Sequence, residues 1–191
     1  DSEQPDLTRS TRTTWLFRNN FKYQLNPGSR LLGKLNHSVS DSSLGTFYEG
    51  GYTEGVLGYA YRPVHHDRLN TLVKYTYFYN VPTTDQMTMQ NIAAEYIQKS
   101  HIAAVDVTYD ITPAISIGGK YAYRLGQISL DRENPEFFSN NANLYVVRSD
   151  IRFWENWEFL VEGRLLQMPA LDEQRMGALT AISRYLGDHL K

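Results

Sequence analysis

The chain has 191 residues and a formal net charge of −2, with 41% hydrophobic and 21% charged residues. This length suits one all-β domain, and no stretch approaches the ~20 consecutive apolar residues of a membrane-spanning helix. The near-neutral charge excludes bulk electrostatic attraction to nucleic acid, and the absence of cysteine excludes disulfides and thiol chemistry. The opening residues, Asp-Ser-Glu-Gln-Pro, are not a signal peptide, so the signal of an exported protein would lie upstream or have been removed.

Nine segments alternate between apolar and polar residues with period two, which predicts β-strands because a helix would scatter both kinds around its circumference. In the first segment, residues 15–25, only Asn19 interrupts the apolar face. The ninth segment is the weakest, with Leu179, Ala181 and Tyr185 opposite Thr180 and Arg184. In chain order the predicted strands are 15–25, 30–39, 51–63, 69–81, 101–111, 115–127, 143–154, 157–168 and 176–186.

The connections alternate between short and long. Short turns are predicted at 26–29, 65–67, 112–114, 155–156 and 187–188, and longer connections at 41–50, 82–100, 129–142 and 169–175. This alternation is typical of outer-membrane barrels, in which the short turns are periplasmic and the long loops are extracellular.

The polar faces of the predicted strands carry most of the charge, and in a membrane barrel these faces line the lumen. The predicted lumen charges are Arg18, Lys22, Arg30, Lys34, Arg62, Lys74, Asp106, Asp110, Lys120, Arg124, Arg148, Asp150, Arg152, Glu158, Glu162, Arg164 and Arg184. Bases outnumber acids in this set, so the lumen is predicted to be net basic.

Aromatic residues concentrate toward the strand ends, as in the two girdles of a membrane barrel. A soluble core has no reason to sort aromatics by height, although a lipocalin-like soluble barrel remains the alternative for the alternation itself. The aromatics predicted near the short turns are Tyr23, Tyr59, Tyr61, Tyr109, Phe153, Trp157 and Tyr185, and those near the long loops are Trp15, Phe17, Tyr77, Tyr79, Tyr123 and Tyr145. We therefore predict an all-β, antiparallel, up-and-down transmembrane β-barrel in the bacterial outer membrane, in contact with its lipid and lipopolysaccharide.

The predicted strand number is odd, whereas single-chain bacterial barrels have even numbers. Residues 1–12 are predicted to form an extracellular loop or tail, and 13–191 the barrel strands. The chain is therefore expected to be part of a larger barrel, or to receive its missing strands from another protein. The terminal sequence Arg-Tyr-Leu-Gly-Asp-His-Leu-Lys, 184–191, resembles the last periplasmic turn of the C-terminal barrels of large proteobacterial surface proteins. That resemblance implies a membrane-anchored barrel and transfers no functional residue.

Two functions follow from the predicted fold. The first is a passive pore or transport channel whose net basic lumen favours anionic solutes, since fixed charges in a narrow lumen set selectivity. The second is an anchor for a larger surface assembly or attached extracellular domains. A structural salt-bridge ladder would explain the charges equally well, because pairing Phe153 with Trp157 places Arg152 opposite Glu158, and Arg148 opposite Glu162.

The sequence offers little support for an enzyme or a metal protein. His65, His66 and Asp67 occupy a short turn without further ligands at useful spacing. Glu158 and Glu162 are four residues apart on one strand, roughly 13 Å, which is too far for paired glycosidase carboxylates. His37, Ser38 and His101 lie near the long-loop end without a nucleophile motif. We predict no enzymatic activity, no cofactor, no metal site and no nucleic-acid partner.

Overall fold

The computed structural model describes residues 11–43, 49–82, 96–132, 134–153 and 156–184. All regular structure in these ranges is β-strand except a three-residue 3-10 helix, Pro169–Leu171. The strands are β1 (Arg12–Asn26), β2 (Ser29–Ser42), β3 (Gly50–Tyr61), β4 (Leu69–Val81), β5 (Ile97–Thr112), β6 (Ile115–Ser129), β7 (Phe138–Ser139), β8 (Ala142–Phe153), β9 (Trp157–Met168) and β10 (Glu173–Arg184).

The strands form one antiparallel up-and-down sheet in the order β1-β2-β3-β4-β5-β6-β8-β9-β10, and β7 pairs with β6 beside this path. The nine long strands correspond to the nine predicted segments, so the predicted all-β antiparallel meander is confirmed. The two-residue β7 lies inside the connection predicted at 129–142 and was not expected. Strand β10 begins earlier than predicted, at Glu173. Tyr185 and the predicted turn at 187–188 lie outside the described residues, as do residues 1–10 of the predicted extracellular segment.

The sheet is open in this structure, with β1 and β10 at its two edges. Because nine long strands alternate in direction along the path, both edge strands run in the same direction. Sheet closure by direct pairing of β1 with β10 would therefore be parallel, whereas every pair in the sheet is antiparallel.

The cross-strand register joins the predicted apolar rows into one face. Tyr23 lies opposite Leu31, Leu31 opposite Tyr59, Tyr59 opposite Val73, and Val73 opposite Val105. Directly opposed residues project to the same side of a sheet. We call this side the outer face; it consists of the odd-numbered residues of β1–β6, β8 and β9. The inner face consists of their even-numbered residues.

The face assignment predicted for the last strand is wrong. Arg184 lies opposite Trp157, and Thr180 lies opposite Val161, so both project from the outer face. Leu179 and Ala181 consequently belong to the inner face. The register follows from the connection before β10, where Asp172 adopts a left-handed conformation (φ 50°) and Glu173 pairs with Met168. The Arg184 guanidinium lies 5.3 Å from the centre of the Trp157 ring, within cation–π range.

Apolar side chains cover the outside of the sheet and do not form a packed core. Among the described residues the buried hydrophobic side chains are only Ile97, Ala104 and Ala142. By contrast, Trp15 is 72% exposed and Val147 is 71% exposed, both on the outer face. The inner face of the central strands is the less exposed one, which shows that the sheet curls around it. None of the helices in the described ranges has the length and hydropathy to cross a membrane.

Candidate functional site

The inner face brings the predicted lumen charges onto one curved surface. All of the predicted lumen charges except Arg62 and Arg184 lie at even-numbered positions of β1–β6, β8 and β9. Arg62 directly follows β3, and Arg184 projects from the outer face. The residues placed there by the register are Arg18, Lys22, Lys34, Lys74, Asp106, Lys120, Arg124, Arg148, Asp150, Arg152, Glu158, Glu162 and Arg164. The inner face is not purely polar, because Leu32, Leu72, Leu144 and Val146 share it.

Three cavities lie along this face. One of about 580 Å³ lies at the short-turn end, between Arg30, Arg62 and Asp106. A second, of about 410 Å³, extends from Asp106 to Arg148 and is also lined by Lys120, Glu162 and Arg164. A third, of about 470 Å³, lies toward the long connections and is lined by Arg18, Lys34 and Glu54. The inner face thus offers open space beside charged side chains across most of its width.

Glu54 forms a cluster on the inner face that the sequence analysis missed. Its Oε2 accepts hydrogen bonds from Lys34 Nζ at 2.7 Å, Asn36 Nδ2 at 3.0 Å and Tyr52 Oη at 2.9 Å. Three donors at one oxygen satisfy this part-buried carboxylate and tie β2 to β3. The signal available in the sequence was parity, because Tyr52 and Glu54 are even-numbered in a segment whose apolar face consists of the odd-numbered Leu57, Tyr59 and Tyr61.

Strands β8, β9 and β10 carry a ladder of ion pairs. The predicted register is correct: Phe153 lies opposite Trp157, and Arg152 opposite Glu158. The Arg152 Nε to Glu158 Oε1 distance is 4.0 Å. The second predicted placement is also confirmed, although the ion pair of that arginine is made elsewhere. Arg148 lies opposite Glu162 in register, but its Nε donates to Asp150 Oδ2 at 2.7 Å.

Glu162 instead pairs with Arg164, two residues along the same strand. Strand β10 continues the ladder with Arg175, whose Nε lies 2.5 Å from Glu173 Oε1. Both pairs join residues i and i+2 of one strand, which project to the same side. The Arg175–Glu173 pair escaped sequence analysis because the faces of β10 were exchanged there.

The aromatics predicted for the membrane interfaces lie on the outer face, except Tyr185, which is outside the described residues. Most are near strand ends, and ring pairs form at the short-turn end, with centroids 6.4 Å apart for Phe153–Trp157 and 6.5 Å for Tyr59–Tyr61. Tyr75 and Tyr121 lie near mid-strand, so the sorting by height is incomplete. The set consists of Trp15, Phe17, Tyr23, Tyr59, Tyr61, Tyr77, Tyr79, Tyr109, Tyr123, Tyr145, Phe153 and Trp157.

Several polar side chains on the outer face have hydrogen-bond partners. Tyr75 Oη lies 2.6 Å from His101 Nδ1, and Tyr121 Oη donates to Asn143 Oδ1 at 3.0 Å. His37 Nδ1 lies 2.9 Å from Thr53 Oγ1. These contacts lower the cost of polar groups in an apolar environment.

The residues considered for catalysis do not converge. His37 and His101 lie on β2 and β5, which two strands separate, and Ser38 projects from the opposite face to both. His65, His66 and Asp67 lie in the β3–β4 connection, where the Asp67 carbonyl accepts a hydrogen bond from Arg62. No group of three or more potential ligands is placed to hold a metal in the ranges that the structure describes.

One arginine links the ends of three long connections. Arg132, after β6, donates from Nη2 to the Glu49 carbonyl at 2.8 Å and from Nη1 to the Pro82 carbonyl at 3.5 Å. These carbonyls flank β3 and β4. The described ends of these three connections therefore meet at the end of the sheet opposite the short turns.

Comparison with protein families, curated proteins and solved structures finds no match to this chain.

Proposed function

We propose that the chain is an integral outer-membrane β-barrel that acts as a passive pore with a charged, net basic lumen. The observation that carries this proposal is the inverted distribution of side chains. Aromatic and aliphatic residues cover the outside of the sheet, while arginine, lysine and carboxylates line its curved interior.

Water is a poor solvent for this outer surface. Moving one large apolar side chain out of water is worth roughly 1.5–3 kcal/mol, and the outer face exposes residues such as Trp15, Phe17, Tyr23, Val147 and Leu125. Soluble proteins rarely expose a contiguous apolar patch of this extent. Lipid supplies the missing apolar environment, and the strand lengths of 12–16 residues suffice for a tilted crossing.

The proposal requires the sheet to close in the membrane, because an edge strand in lipid leaves backbone N–H and C=O groups unpaired. Strands β1 and β10 are the edges that closure must satisfy. In this orientation the short turns are periplasmic and the connections joined by Arg132 are extracellular.

Reconstitution of the protein into planar lipid bilayers tests the function. We expect stable, stepwise ion conductance from the folded protein. Membrane insertion without conductance would contradict the pore.

A second candidate, a membrane anchor for a larger surface assembly, is favoured by one specific observation. The two sheet edges run in the same direction, so an all-antiparallel closure requires an odd number of further strands. A partner protein could contribute them. A protein that resists extraction from membranes by alkaline carbonate but conducts no ions would support the anchor.

A further inference from the structure

The inner-face arginines of β8, β9 and β10 are neutralised locally. Each of Arg148, Arg152, Arg164 and Arg175 has a carboxylate within 4.0 Å. An ion pair presents a dipole to the lumen and not a net charge, so its field falls quickly with distance. This part of the inner face, although rich in arginine, contributes little to the selection of ions by charge.

The inner face of β1–β6 is organised differently. Lys34 has a carboxylate partner there, Glu54. In the part of the chain that the structure describes, seven other inner-face cations have no carboxylate within 4.0 Å: Arg18, Lys22, Arg30, Arg62, Lys74, Lys120 and Arg124.

Three of these cations bond to neutral acceptors. Arg30 Nε donates to Gln24 Oε1 at 2.9 Å, and Arg62 Nε donates to the Asp67 carbonyl at 3.1 Å. Arg124 Nη2 donates to Asn140 Oδ1 at 2.8 Å. A neutral acceptor fixes the guanidinium in place without cancelling its charge.

Few acids oppose these cations. Asp106 and Asp110 are the inner-face carboxylates of β1–β6 without an ion pair in the described ranges, and Asp106 lies opposite Lys120. Lys74 and Lys120 lie near the middle of β4 and β6. In a closed barrel this height is the centre of the membrane, where a fixed charge acts most strongly on a passing ion.

We propose that the unpaired cations of β1–β6, foremost Lys74 and Lys120, make the pore selective for anions, and that the arginine ladder of β8–β10 does not. This inference rests on the proposed pore function. The solutes that it favours are small anions.

Reversal potentials in a KCl gradient test the assignment. The variant Lys74→Gln/Lys120→Gln removes two unpaired cations and is expected to lower the chloride-to-potassium permeability ratio by about twofold or more. The matched control, Arg148→Gln/Asp150→Asn, removes one complete ion pair and should leave the ratio unchanged. If the lysine variant does not fold, Arg18→Gln/Lys22→Gln on the edge strand β1 makes the same change in charge.

The outcomes separate the two proposals. Conductance with an unchanged ratio in the lysine variant, or an equal shift in the control, overturns the assignment and leaves the pore intact. The absence of any conductance in the unmodified protein removes the pore function, and the selectivity assignment with it.

Discussion

The substitution Val105→Arg tests whether the outer face meets lipid. Val105 lies on the outer face near the middle of β5, opposite Val73 and Tyr121. Val105 lies seven to eight residues from either end of β5, which is about 23–26 Å along the strand. An arginine side chain at this position is too short to bring its charge to the water at either end. An arginine at the midplane of a membrane barrel costs ~2–4 kcal/mol, or roughly 30- to 800-fold in the folding equilibrium.

The control places the same residue on the inner face of the same strand. Thr108 lines two of the cavities and lies two residues from both Asp106 and Asp110. Thr108→Arg therefore gains charge partners and should change the free energy of unfolding by less than about 1 kcal/mol. Urea titration of the protein folded in lipid vesicles, followed by tryptophan fluorescence, measures both values. An equal cost for the two substitutions, or a larger cost for Thr108→Arg, would refute the proposed orientation of the faces.

Three further predictions concern contacts within the sheet. Glu54→Gln weakens the three hydrogen bonds at the Glu54 carboxylate and should lower the free energy of unfolding, measured by urea titration, by about 1–3 kcal/mol. An unchanged free energy would show that the Glu54 cluster does not stabilise the sheet. Gly126→Ala would place a Cβ 2.2 Å from the Asn140 carbonyl oxygen, whereas the Cβ of the control Gly163→Ala meets nothing within 4 Å. Gly126→Ala should therefore destabilise the protein clearly more than Gly163→Ala. Equal unfolding midpoints for the two variants would contradict this. Arg132→Ala should speed protease cleavage in the long connections without moving the urea midpoint, and unchanged cleavage would show that its carbonyl contacts do not restrain them.

The sequence predicted the sheet well because alternation was strong where one face is predominantly apolar. The segments 69–81 and 157–168 coincide with β4 and β9. The two faces of β10 were predicted the wrong way round because small residues such as Ala178, Thr180 and Ala181 occur readily on either face of a sheet. The register of β10 is fixed instead by the connection after Met168.

The details of the inner face depended on side-chain geometry that a strand pattern does not contain. Arg148 has a candidate carboxylate across the strand and another two residues along it, and alternation cannot choose between them. Glu54 was overlooked because glycines interrupt the pattern of its segment, at Gly51, Gly55 and Gly58.

The shared direction of β1 and β10 limits how copies of this chain could assemble. If two copies insert into a membrane in the same orientation, β1 of one copy lies beside β10 of the other and runs in the same direction. The strand pairing at each such junction between copies would be parallel. A ring built from this chain alone would therefore mix two kinds of hydrogen-bond ladder. One additional strand of the opposite direction, paired with both β1 and β10, would make every hydrogen-bond ladder of the closed sheet antiparallel.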